Sequence, residues 1–80
     1  MIAKVFVSLK PQVLDPQGKT VQKGLFSMGY DEVEGVRVGK YIEITLKDGL
    51  EKEAAIARVE EMCTRLLSNP IIENYRIELT

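Results

Sequence analysis

Few residues in this chain have types and spacing suited to chemistry. Glu60 and Glu61 are adjacent carboxylates, Cys63 is the single thiol, and Gly35-Val36-Arg37-Val38-Gly39-Lys40 places two cations among glycines. Paired carboxylates do general acid–base work only when both reach one reacting group. Neighbours on a helix diverge by about 100°, so Glu60 and Glu61 read as a solvated face. Cys63 falls among apolar residues with no base to activate it, and reads as a small buried hydrophobe. The glycine–cation run lacks the G-x-x-x-x-G-K-[ST] spacing of a phosphate loop and opens no helix. Turn chemistry with solvated cations accounts for it. The alternative is an ion pair to a partner protein, with Arg37 the better bidentate donor. The chain has no histidine. That excludes Ser–His and Cys–His machinery, and a zinc site would need carboxylates almost alone.

The stretch Leu9 to Gly18 is built differently. It carries Pro11 and Pro16, two of the three prolines. Pro11 has no N–H, so the preceding strand cannot continue past it as a central strand. Asp15 followed by Pro16 is a helix start, a capping carboxylate and then proline at the first helical position. Asp15 needs no role beyond that cap. Lys10 has no evident structural duty, and Gln12 and Gln17 are free to hydrogen-bond across an interface. The loop reads as stiff and shape-presenting.

Eighty residues make one domain, residues 1–80, with a thin margin. A chain this short buries only about 60–65% of its unfolded surface, and many such chains gain stability by oligomerising. Eleven basic residues against twelve acidic ones give a net charge of −1. That is no field for a polyanion and argues against nucleic acid as a partner. No run approaches the ~20 apolar residues of a membrane span, and Met1-Ile2-Ala3-Lys4 is no signal peptide, so a cytoplasmic protein is expected.

Residues 2–10 alternate as a strand, with Ala3, Val5, Val7 and Leu9 on one face and Ile2, Lys4, Phe6 and Ser8 on the other. A helix is predicted from Asp15 to Met28, with Val21, Leu25 and Met28 on its apolar side and Gly29 as its stop. Gly24 in its interior suggests close packing on a sheet. Residues 32–38 and 41–47 read as two strands with Gly39-Lys40 at the turn; one long bent strand is the alternative. A second helix runs from about Leu50 to Leu67, burying Ile56, Val59, Cys63, Leu66 and Leu67. Pro70 ends it, and residues 71–79 alternate as the last strand. The order β-α-β-β-α-β predicts an α+β, ferredoxin-like fold: a four-stranded antiparallel sheet with both helices on one face. Its bare face would carry Phe6, Tyr41 and, depending on register, Ile2 and Ile72. Such a patch marks a subunit contact.

Leu9-Lys10-Pro11 with Val13-Leu14-Asp15-Pro16-Gln17-Gly18, then Val36 through Glu43, then Cys63 through Leu67 with Asn69-Pro70-Ile71-Ile72-Glu73-Asn74-Tyr75, carry a resemblance. In combination they resemble PurS, the small subunit of bacterial and archaeal phosphoribosylformylglycinamidine synthase, over the whole chain. That resemblance implies an accessory subunit of an ATP-dependent, glutamine-hydrolysing ligase complex of purine biosynthesis. The glutaminase subunit PurQ would release ammonia, and the synthetase subunit PurL would hold ATP and magnesium. This chain would bridge them, with no catalytic residue, cofactor or metal of its own, as a homodimer or tetramer. Lys10, Pro11, Asp15, Gln17, Gly18, Arg37, Lys40, Asn69, Pro70 and Tyr75 are the candidate contacts with those partners. Ile2, Phe6, Tyr41 and Ile72 are the candidate oligomer face. The competing reading is a small ligand-binding regulatory domain acting as a dimer. An RNA-binding domain of this topology would stack bases on Phe6 and Tyr41, but Glu43 beside Tyr41 would repel phosphate.

Overall fold

The computed structural model describes all 80 residues. The elements are β1 (Ile2–Leu9), α1 (Pro16–Ser27), β2 (Lys40–Thr45), α2 (Lys52–Met62) and β3 (Glu73–Leu79), with a π-helical turn, Cys63–Leu67, continuing α2. The sheet order is β2-β1-β3, and both ladders are antiparallel. The alternation in β1 sorts its faces as its sequence predicts. Ala3, Val5 and Val7 are buried in one cluster with Val59 and Cys63 of the second helical segment. Ile42, Ile44, Ile77 and Leu79 pack against that cluster from the flanking strands. On the opposite face Phe6 lies between Tyr41 and Arg76.

α2 and the turn that continues it bury Ala55, Val59 and Cys63 at steps of four. Burial pushes the Cys63 thiol above its ordinary range, and Glu60 adds to that. At Cys63 the helix widens: the Ser68 N–H donates to the Cys63 carbonyl at 2.9 Å, five residues back. A π turn takes up extra chain and shifts the phase of every later side chain. Leu66, expected inside, is therefore 83% exposed. Leu67 and Met62 pack on the core.

Further expectations are corrected. The sheet has three strands, not four: residues 33–39 run without pairing to any strand of this chain, and Gly39-Lys40 is no turn but the entry to β2. The last strand starts at Glu73, which leaves Ile72 outside it. And α1 does not share the sheet face with α2. It packs on no strand, and of its residues only Gly18 is buried. A Cβ at Gly24 would touch nothing within 4 Å, so Gly24 serves no close approach.

α1 instead forms an arm with the segment that follows it. The helix closes with Gly29 at φ +96°. The Gly29 N–H donates to the Phe26 carbonyl at 3.0 Å, and the Tyr30 N–H donates to that of Leu25 at 3.1 Å. This pair of bonds is the Schellman closure, which favours glycine at the positive-φ position. Residues 31–39 then return along the helix, where the Gln22 side-chain amide donates to the Glu34 carbonyl at 3.2 Å. The Val38 N–H goes to the Asp15 carboxylate and the Val33 N–H to the Tyr30 carbonyl, and no strand of this chain lies alongside, so the predicted strand over 32–38 does not form.

The arm makes the molecule long. Its principal extents are 51 × 25 × 15 Å and its radius of gyration is 16.1 Å, where a compact chain of this length gives about 12 Å. Gly24→Ala is expected to stabilise the isolated protein by about 0.5–1 kcal/mol, because helix propensity acts there without a steric penalty. Urea unfolding checks it; a loss of stability would mean that α1 packs against something at Gly24.

Candidate subunit interface

The polar residues singled out by sequence gather at one end of the sheet, where β1 leaves and β2 and β3 begin. Asp15 is the centre. It is 4% exposed. One carboxylate oxygen accepts from the Gly18 N–H at 2.9 Å, capping α1. The other accepts from the Val38 N–H at 2.8 Å, tying down the returning end of the arm. The Gly18 N–H is the main cause that holds the Asp15 carboxyl below its ordinary 3.8, followed by that of Val38; burial opposes them, and the Arg37 guanidinium adds to the lowering. Gly18 is fixed by the same geometry. A Cβ there would stand 2.6 Å from Asp15 Oδ2 and collide with the Val36 carbonyl.

Arg37 closes the other side. Its Nη2 donates to the Lys10 carbonyl at 3.0 Å and to the Val13 carbonyl at 3.1 Å. Lys10 to Val13 is a β-turn with Pro11 in its second position, since the Val13 N–H also donates to the Lys10 carbonyl at 2.9 Å. The Lys10 N–H in turn donates to the Ile72 carbonyl at 2.9 Å. Arg37 thus spends its guanidinium within the chain, where sequence pattern pointed to a solvated cation or, as the alternative, to an ion pair with a partner.

Lys40 lies 4.0 Å from Glu73. The other Glu73 oxygen accepts from the Asn69 N–H at 2.6 Å, and the Asn69 side chain accepts from the Ile71 N–H at 3.2 Å, fixing the turn that holds Pro70. Asp15, Gln17, Lys40 and Glu73 line one cavity of about 180 Å³. Lys10, Pro11, Asp15, Gln17, Gly18, Arg37, Lys40, Asn69 and Pro70 therefore share this junction. Tyr75 does not join them; it points into the half-buried side of the sheet and packs on the core. Glu73 was missed. Its signal was present: it is the one charge on the otherwise apolar face Ile71, Tyr75, Ile77, Leu79. No nucleophile stands beside a base here, and the carboxylates and the guanidinium are engaged within the chain.

The bare sheet face carries Phe6, Tyr41 and Ile2, as alternation predicts, but it is less apolar than expected. Arg76 lies over the Phe6 ring, 4.3 Å from its centroid, and pairs with Glu78. Phe6 and Tyr41 sit 5.1 Å apart, and the Tyr41 hydroxyl donates to Glu43 at 2.8 Å, which pushes the phenol above its usual 10.0. The larger apolar exposure is on the arm, at Phe26 (68%) and Met28 (73%). Phe26 stands beside Leu25, off the stripe of Val21, Leu25 and Met28, and sequence reading passed over it.

Asp15→Asn leaves one oxygen to serve two donors and should lower the melting temperature by about 5 °C at pH 7. A depressed carboxyl contributes stability above its ordinary value and loses it as pH falls through the lower folded value. The gap between wild type and Asp15→Asn should therefore narrow below about pH 3.8. Thermal melts from pH 7 to pH 2 check this; an unchanged gap would remove the carboxylate's charge from the account.

Comparison with known proteins agrees with this arrangement. The family model described as PurS, phosphoribosylformylglycinamidine (FGAM) synthase, matches residues 2–80. The PurS subunit of Bacillus subtilis is 51% identical over 76 residues, covering 95% of this chain and 88% of that one. PurS of Methanocaldococcus jannaschii superposes with a TM-score of 0.85 at 39% identity, covering 96% and 92% of the two chains. A chain of the solved PurLQS structure from Thermotoga maritima superposes with a TM-score of 0.83 at 30% identity, covering 98% and 96%. The chain belongs to the PurS family.

Proposed function

We propose that this chain is the accessory subunit of phosphoribosylformylglycinamidine synthase and bridges its PurL and PurQ subunits. The observation that carries this reading is the family match over residues 2–80, joined to a junction whose polar groups hold shape rather than react. The Thermotoga relative was solved as PurLQS, which supports PurL and PurQ as the partners here. In that reading, ammonia from the glutaminase reaches formylglycinamide ribonucleotide at the synthetase. ATP and magnesium belong to the synthetase, and the complex is cytoplasmic. Lys10, Pro11, Gln17, Asn69 and Pro70 face the partners at the junction. A ligand-binding regulatory role is not favoured, because the family match over residues 2–80 supports a synthase subunit.

The chain also pairs with itself. Its surface is 6079 Å², about 1,200 Å² more than a compact monomer of its mass exposes. Covering that excess on two copies suffices for a stable interface, which takes about 1,200–2,000 Å² in total. The arm, with Val21, Phe26 and Met28 outward, is the place to cover it.

Two experiments test this. PurL and PurQ are supplied with substrate, ATP and glutamine, with and without this chain, and with ammonium chloride in place of glutamine. Glutamine-dependent turnover should require the chain; ammonia-dependent turnover should need it less. Equal rates without it would remove the bridging role. In sedimentation, the wild type should run as a dimer or larger, and Phe26→Glu should shift it to monomer at the same concentration. An unshifted Phe26→Glu would place the self-contact elsewhere, on the Ile2, Phe6, Tyr41 and Ile72 side.

A further inference from the structure

The run from Gly35 to Thr45 has one edge in use and one edge open. On β1, Ile2 exchanges N–H and carbonyl bonds with Thr80, at 3.1 and 3.0 Å, on the β3 side. Successive residues of a strand turn their backbone groups to opposite edges, so Ala3, Val5 and Val7 bond to β2. Their partners there are Ile44, Ile42 and Lys40. The N–H and carbonyl groups of Tyr41, Glu43 and Thr45 therefore point away from the sheet. The segment before β2 keeps the same parity. The Val38 N–H donates to Asp15, and the Glu34 carbonyl accepts from Gln22. The backbone groups of Gly35 and Arg37 meet no partner in the chain. No proline interrupts the run, the nearest being Pro16 and Pro70. A long edge of unpaired backbone groups is a template for another strand.

The side chains agree. Val36 and Val38 alternate onto the same face as Ile42, Ile44 and Leu46, and all five are half-buried. α2 packs along β3, which leaves the β2 side of that face the less covered.

We propose that the run 35–45 is the edge through which two copies of this chain join: they pair it antiparallel about a two-fold axis, and the 35–38 segment of each adds a fourth strand to the sheet of the other. This rests on the reading that the chain pairs with itself. Only odd-numbered residues offer free backbone groups, so odd residues of one copy must face odd residues of the other. Val36 and Val38 then fall beside the partner's Ile42 and the partner's Ile44, and each pair supplies the cover that the other lacks. A two-fold contact needs one patch that complements itself, and this run is such a patch. The surface in excess of a compact chain, about 1,200 Å² on each copy, suffices for a stable interface. The four-stranded sheet expected from the sequence is completed between two chains and not within one.

Amide exchange on the full chain reads this edge directly. At a concentration where sedimentation shows about nine-tenths of the chain paired, the Gly35, Arg37 and Glu43 N–H groups should exchange about tenfold more slowly than in dilute monomer. The Val38 N–H, bound to Asp15 within each copy, should be slow in both. Glu43→Pro removes one edge donor without touching the ladder to β1 and should shift the chain to monomer. Glu43→Ala keeps that donor and should stay paired.

A chain that is monomeric at every concentration removes the self-pairing reading, and this edge with it. A dimer whose Gly35, Arg37 and Glu43 amides exchange as fast as in the monomer overturns the edge alone and leaves self-pairing standing. So does a folded Glu43→Pro that pairs as tightly as wild type. Where Glu43→Pro does not fold, exchange in the wild-type chain decides.

Discussion

One buried carboxylate sets the geometry of this molecule. Asp15 accepts the Gly18 N–H, in the first turn of α1, with one oxygen and the Val38 N–H with the other. The first bond fixes where the helix starts. The second fixes where the arm rejoins the sheet, two residues before β2 begins. Removing either donor would leave a buried acceptor unmet, so the two ends of the arm are not independent. Gly18 follows from the same constraint, since any side chain there would occupy the space of the Asp15 carboxylate and the Val36 carbonyl.

The two unpartnered surfaces differ in kind. On the sheet, Arg76 covers Phe6 and is paired to Glu78, and Tyr41 is tied to Glu43. A cation on a ring face with its charge matched nearby is comfortable in water. On the arm, α1 has Lys19 and Lys23 but no acidic residue, and Val21 and Phe26 are exposed. With eight buried residues, the core is small for the chain length. The larger apolar exposure is therefore on the arm and not on the sheet face, whose rings are already met by charged neighbours.

The legible parts of the fold were those decided locally. Period-two alternation fixed the faces of β1, and the Asp15-Pro16 pair placed the start of α1 to the residue. Gly29 marked its end. The parts that could not be read depend on distant neighbours. Residues 32–38 have a strand's composition, but whether a strand forms depends on a partner, and no strand of this chain lies beside them. Leu66 follows helical spacing until the π turn at Cys63 shifts the phase, and no residue type announces that shift. Gly24 suggested close packing that does not occur. At the junction, residue types identified Asp15 and Arg37 but not the direction of their bonds: Arg37 looked outward in sequence and turns inward in space. Glu73 could have been found, because a lone carboxylate on an apolar strand face needs a reason.

An accessory subunit contributes through the places at which it holds other groups. That role demands stiffness, and the junction provides it with short bonds among backbone groups rather than with long ion pairs. Its one close approach of opposite charges, Lys40 to Glu73, is 4.0 Å and largely solvent-exposed on the lysine side; pairs of that kind contribute little. Carboxylate-to-amide and guanidinium-to-carbonyl bonds are directional and weakly dependent on salt. A junction built from them keeps one shape across ionic conditions, whereas one built from surface charges would loosen as salt rises. Asp15, Arg37 and Glu73 are committed to fixing the chain's own path.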